Sequence, residues 1–188
     1  FNPLNVREES LVKLTEEMEE ANDAPIRSYG PMFFFAARGD LRMCSWLYEN
    51  GAAEEIRKKY EEGDPMLVAC HQGHLNICKW LLSKGVSVVR TADTNGYTHM
   101  HMACSRGHIE VCQWLNSVGA RDDIHNTVNG YTPMLLACLS GHLSVCQFLF
   151  AAGAADDIRK ANNSGETPMH MACQMGHLSI CQWLFDVG

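Results

Sequence analysis

Nine cysteines and nine histidines in 188 residues are the side chains of this chain with the most chemistry to offer. Thiolate and imidazole are the usual zinc ligands, a Cys–His pair can make an activated nucleophile, and paired cysteines can cross-link a fold. Their spacing argues against each. Zinc fingers and ribbons use cysteines separated by two residues, whereas the shortest regular step here is eight, as in Cys70 to Cys78, with the two cysteines on different predicted helices. A catalytic cysteine must be activated and reachable, and these lie on apolar stripes. No Gly-rich phosphate loop and no H-E-x-x-H occurs. No catalytic residue, metal ligand or cofactor is therefore expected.

The cysteines keep time with something larger. One set is Cys44, Cys78, Cys112, Cys146 and Cys181, the other Cys70, Cys104, Cys138 and Cys173. They ride on a sentence written five times: PMFFFAARGDLRMCSWLYENG from Pro31, then copies from Pro65, His99, Pro133 and Pro168, at steps of 34, 34, 34 and 35 residues. Such a period marks a stacked repeat, in which each unit buries its apolar face only against its neighbours. Equivalent residues of stacked helices lie roughly 8–10 Å apart, beyond the ~7 Å between Cα atoms that a disulfide spans. Ladder-wise bridges are not expected. The thiols should be reduced and mostly buried, acting as small hydrophobes, which suits a reducing, cytoplasmic setting.

Each copy reads as two helices. Pro suits a first turn, and the inward stripe Met134, Leu135, Ala137 and Cys138 precedes a breaking Gly141. A second helix, about 143–150, is apolar nearly all round, so both of its sides should be covered; on this reading Trp80, Trp114 and Trp183 are core residues. Gly153 ends it. The polar stretch before the next Pro has the turn chemistry of an exposed hairpin-like finger. Residues 1–28 lie outside the repeat: Leu4, Leu11, Leu14 and Met18 form one stripe among glutamates, read as a helix and linker that cap the solenoid, with a partner-binding helix as the other reading.

Composition narrows function. A net charge of −7 with no basic face argues against nucleic acid, and no apolar run approaches the ~18 residues of a membrane span. The start lacks a signal sequence and an initiator Met, so the chain reads as a soluble fragment of a longer protein.

The motifs GYTPMLLACLSGH and GETPMHMACQMGH resemble the ankyrin repeat, whose unit reads G-x-T-P-L-H-x-A-A-x-x-G-H before an aliphatic second helix. The resemblance covers 29–188, as repeats at about 29–62, 63–96, 97–130, 131–165 and an incomplete 166–188. Met stands where Leu is usual, Cys replaces the second Ala in four copies, and Trp or Phe enters the second helix. The resemblance implies an all-α solenoid of helix-turn-helix units with extended fingers. It gives His74, His108, His142 and His177 a structural place at the start of second helices, and it implies hydrogen bonds from His101 and His170 to Thr98, Thr167 and the adjoining loop.

It also implies function: a non-catalytic module that binds a protein or peptide on a concave face of fingers and first helices. Carried over by register, the contact residues are Arg38, His71, Gln72, Ser105, Arg106, Leu139, Ser140, Gln174 and Met175 on helices, with Tyr29, Tyr97 and Tyr131 on fingers. Tyr and Arg are frequent interface anchors. The acidic charge points to a basic partner, and the chain is expected to be monomeric, with end-to-end contacts open at an uncapped C-terminus. Acidic pairs followed by Ile (Glu54-Glu55, Asp122-Asp123, Asp156-Asp157) read as a solvated edge over a packed Ile, or as a strip that docks a cation or basic peptide. Two rivals remain: a targeting or regulatory domain of a larger enzyme or channel, and a redox or metal sensor built on the cysteines.

Overall fold

The computed structural model describes residues 29–60, 63–88 and 92–188. The expected capping helix, together with Glu61, Glu62 and Val89 of the fingers, lies outside the described residues.

Helices come in pairs: α1 (Pro31–Arg38) with α2 (Leu41–Glu49), α3 (Pro65–Gln72) with α4 (Leu75–Ser83), α5 (His99–Ser105) with α6 (Ile109–Ser117), α7 (Pro133–Ser140) with α8 (Leu143–Ala152), and α9 (Pro168–Gln174) with α10 (Leu178–Val187). Local chemistry sets the boundaries. Asp64, Thr98, Thr132 and Thr167 cap α3, α5, α7 and α9 by accepting a backbone N–H three residues on. The first helices end before a left-handed glycine, as at Gly73 with φ 79°.

First helices stack directly on first helices along the array, while successive second helices meet less closely, so the first-helix row lies on the inner side of the curve. Small residues permit that approach. Ala36, Ala69, Ala103, Ala137 and Ala172 are all fully buried in it. Met32, Met66, Met100 and Met134 fill the layer between rows, and Leu47, Leu81, Leu115, Leu149 and Leu184 hold the second helices to the same continuous core.

Two expectations need correction. Trp80, Trp114 and Trp183 are half-buried, and Trp46 is exposed at 36%. Two of them meet rings of the preceding second helix, Trp80 edge-on to Tyr48 and Trp183 edge-on to Phe150 at ring separations of 5.7 and 5.8 Å. An apolar surface all round a second helix thus reflects neighbours along the stack, with the Trp rings set at its outer edge. The acidic pairs form a solvated edge only in part, Glu54, Asp122 and Asp156 being exposed and their second members not. They sit in 3₁₀ turns, Ala53–Arg57, Arg121–His125 and Ala155–Arg159, and in the latter two the second acid is buried. Asp123 accepts from Asn126 Nδ2 at 2.8 Å, and Asp157 faces His125 Nδ1 of the preceding turn at 3.3 Å and Lys160 Nζ at 3.8 Å. Ile56, Ile124 and Ile158 are buried beneath them. The fingers close with single antiparallel bridges, Tyr60 to Gly63, Ala92 to Thr98 and Val128 to Tyr131, and no longer strand ladder occurs among the described residues.

Candidate interaction surface

The chain's histidines tie one helix pair to the next. Asp40 at the start of α2 accepts from the Met43 N–H, whereas at the start of α4, α6, α8 and α10 the His ring makes no cap on its own helix. It reaches back instead: His74 Nε2 donates to the Ala37 carbonyl at 3.0 Å, His108 to that of His71 at 3.0 Å and His177 to that of Leu139 at 3.1 Å. His142 bonds the Ser105 carbonyl in the same register, and its pKa is lowered, chiefly by burial. The ring passes directly over the glycine that ends the earlier first helix. A Cβ there would lie 2.7 Å from His74 at Gly39, 2.4 Å from His108 at Gly73, 2.5 Å from His142 at Gly107 and 2.6 Å from His177 at Gly141. These glycines are therefore required twice, by a positive φ and by the close ring.

His101 is a second kind of tie. Its Nδ1 accepts from the Thr98 N–H at 3.2 Å, and its Nε2 donates to the carbonyls of Asn126 and Tyr131 in the next finger at 3.1 and 3.3 Å. That arrangement needs the neutral ring, and burial lowers its pKa. His170 repeats the bond to Thr167. Histidine is thus spent on geometry here. Among the described residues no group of three or more His, Cys, Asp or Glu side chains could hold a metal ion, and no helix is long and apolar enough to cross a membrane.

The cysteines, all unbridged, meet within four of the five helix pairs, the first holding Cys44 alone: Sγ atoms lie 3.6 Å apart in Cys70–Cys78, 3.6 Å in Cys104–Cys112, 3.5 Å in Cys138–Cys146 and 3.3 Å in Cys173–Cys181. This pairing depends on how two helices face each other, which an eight-residue spacing alone does not fix. Burial pushes the Cys44 thiol up to about 12 and raises Cys70 and Cys104 well above the usual range. Cys138 is raised first by its hydrogen bond to Cys146, then by burial. Seven of the nine are buried; Cys173 is exposed and Cys181 half-buried.

The residues singled out for partner contact fall into four settings. Tyr29 stacks on Phe33 with ring centres 4.6 Å apart and meets the edge of Tyr60, so its ring belongs to an aromatic cluster. Tyr97, half-buried, lies edge-on to His101, and Tyr131, half-buried too, offers its carbonyl to that same ring. Arg106 and His71 join across two repeats, Arg106 Nε donating to His71 Nε2 at 2.8 Å. Gln72, Ser140, Gln174 and Met175 are exposed, Ser105 and Leu139 half-buried, and the exposed Arg38 guanidinium lies over the Phe34 ring.

A groove opens on the inner row. It is lined by Phe33 of α1, Leu67, Val68 and His71 of α3, Met102 of α5, and the finger residues Asp93 and Asn95. Asp93 shapes that finger, its Oδ1 accepting from the N–H groups of Asn95 and Tyr97 at 2.9 and 2.8 Å. Of these residues only His71 stood out in the sequence. Phe33, Leu67, Val68 and Met102 have the composition of a core stripe, and only the curvature of the stack opens a surface along them.

A family model described as ankyrin repeats (3 copies) matches residues 32–126 and 117–188. Comparison with curated proteins gives no match. The described helix pairs, the Thr–His and Gly–His ties and a match over most of the chain lead to one conclusion: this protein belongs to the ankyrin repeat family.

Proposed function

We propose that the chain is a non-catalytic protein-interaction module that holds a basic peptide or a basic surface of a partner protein along its inner row, at the groove between α1, α3 and α5. Ankyrin repeats are in general protein–protein interaction modules, and the family is typically non-catalytic. The observation that carries the reading is the groove itself: an apolar floor of Phe33, Leu67, Val68 and Met102 under a polar rim of His71, Asp93 and Asn95. Interfaces combine an apolar centre with a polar, wetter edge in this way. The net charge of −7 favours a cationic partner and steers its approach. Arg106, held to His71 beside the groove, and Tyr97 and Tyr131 on the neighbouring fingers extend the surface toward the middle of the array.

The test is parallel capture from a cell extract by the immobilised wild-type chain, by Met102→Arg in the groove floor and by Gln147→Arg on the exposed side of α8. Proteins held by wild type and by Q147R but lost with M102R identify groove ligands, and their retention should fall with added salt. Partners that survive M102R and are lost with Q147R would move the binding surface to the second-helix row.

A further inference from the structure

Two acidic side chains, Asp64 and Asp93, carry charges that their structural tasks do not require. Asp64 caps α3 by accepting from the Leu67 N–H at 2.8 Å, the task that neutral Thr98, Thr132 and Thr167 perform for α5, α7 and α9. Asp93 shapes its finger by accepting from the N–H groups of Asn95 and Tyr97, and neutral Asn162 builds the same turn from the N–H groups of Ser164 and Glu166, at 2.9 Å each. The two carboxylates line one hollow of about 150 Å³, which has room for a single side chain; Tyr60, Leu67, Thr94 and His99 wall it, with the exposed Lys59 beside them. His99 stands where Pro31, Pro65, Pro133 and Pro168 open the other first helices. Its Nδ1 donates to the Val88 carbonyl at 3.3 Å, and its Nε2 faces Asp64 Oδ1 at 3.9 Å. Burial opposes ionisation of Asp64, but His99, the Leu67 N–H and Lys59 outweigh it and hold its carboxyl below the ordinary value, so the charge is present at neutral pH. Leu67 and Asp93 also line the inner-row groove, which makes the hollow a side chamber of that groove.

We propose that this hollow is the specificity pocket of the groove and takes one lysine or arginine side chain of the bound segment, its aliphatic stem along Leu67 and its cation paired with Asp64 and Asp93. The inference rests on the groove binding proposed above and adds which part of a basic ligand is read. A Lys or Arg side chain is apolar along its stem and charged at its head, which matches a chamber that meets the groove at Leu67 and holds two carboxylates. Hydrogen bonds between a cation and a carboxylate are roughly twice as strong as neutral ones, and partial burial strengthens them further. Lys59 is the competing cation: one ammonium beside two carboxylates leaves the chamber negative with His99 neutral, and the incoming side chain takes over the pairing.

The experiment selects peptides from a phage-displayed library of random sequences on the immobilised chain, keeps those lost with Met102→Arg, and measures them as synthetic peptides by calorimetry against wild type, Asp64→Asn, Asp93→Asn and Lys59→Ala. Asparagine keeps the oxygen that each cap or turn uses, so the far-ultraviolet circular dichroism should stay that of wild type while the charge is lost. The peptides should share one Lys or Arg at a fixed spacing from their apolar residues. Replacing it with norleucine should weaken binding to wild type about tenfold or more, Asp64→Asn and Asp93→Asn should each weaken the parent peptide, and in those variants the norleucine change should cost much less. Lys59→Ala should bind at least as tightly as wild type. Groove-dependent peptides with no shared cation, a cation whose removal costs the same in wild type and in both Asn variants, or weaker binding by Lys59→Ala would each overturn the pocket and leave the groove standing. No Met102-dependent peptide at all would overturn the groove binding and the pocket with it.

Discussion

In the third helix pair Gly107 lies under the His142 ring, Met100 is fully buried, and Cys104 and Cys112 are sealed. In the fifth, Gly176 has nothing within 4 Å of where its Cβ would be, Met169 is half-buried and Cys173 is exposed. Leu178 and Phe185, on the last helix, are 67% and 82% exposed. The motif residues are nearly the same; the neighbour is not. What the motif encodes is therefore mostly contact between units: the Gly of one repeat is shaped for the His of the next.

The largest separation should come from the methionine ladder. Met134→Ala empties a fully buried site and should lower stability by about 2–5 kcal/mol, whereas Met169→Ala, at a half-buried site, should cost clearly less; denaturant unfolding of both variants reads the difference. Removing an outer-row ring should have a smaller effect. Trp114→Ala is expected to cost about 2 kcal/mol, below the ~3–5 of a core Trp, because this Trp is only half-buried; a loss of 4 kcal/mol would return it to the core.

Acid should sharpen the comparison further. Burial lowers the pKa of His101 and of His142, both inside the array. Above about pH 6.5, the ordinary histidine value, both rings are neutral folded or unfolded and stability does not depend on them. As pH falls below that value, the unfolded chain takes up protons that the folded chain resists, so stability declines toward each lowered folded pKa. A thermal midpoint that falls between pH 7 and 5, with a weaker fall in His101→Gln, is the expected result. The smallest effect is local: amide hydrogen exchange in this chain should be slowest in α5 to α8 and fastest in α10, where Leu178 and Phe185 are exposed.

The fold was legible because its signal is repeated: Pro, Ala, Gly-His and the apolar second helix recur in register, and each recurrence constrains the others. The His101 and His170 bonds to Thr98 and Thr167 were legible through the family resemblance, which gave the Gly-His histidines a structural place without their reach back to the preceding repeat. The groove floor was not, since Val68 and Met102 look like any core-facing position until curvature exposes them. Sulfur contacts within a pair were missed because they depend on the rotation of two helices about their axes. The buried second acids, Asp123 and Asp157, were missed because a pair of acids before Ile looks solvated unless a 3₁₀ turn is known to fold one of them inward.

The central claim is that neighbours complete each repeat, and Gly107→Ala against Gly176→Ala tests it most directly. Both positions have positive φ, 77° and 75°, so alanine carries about the same backbone strain of roughly 1–2 kcal/mol at each. Only at Gly107 would the new methyl also meet a His ring at 2.5 Å, adding about 1–3 kcal/mol of overpacking. Equilibrium unfolding of the two variants should show the larger loss at Gly107 by that margin. Equal losses would mean that the glycine serves only its own turn, and that the Gly–His contact between repeats contributes nothing to holding the array together.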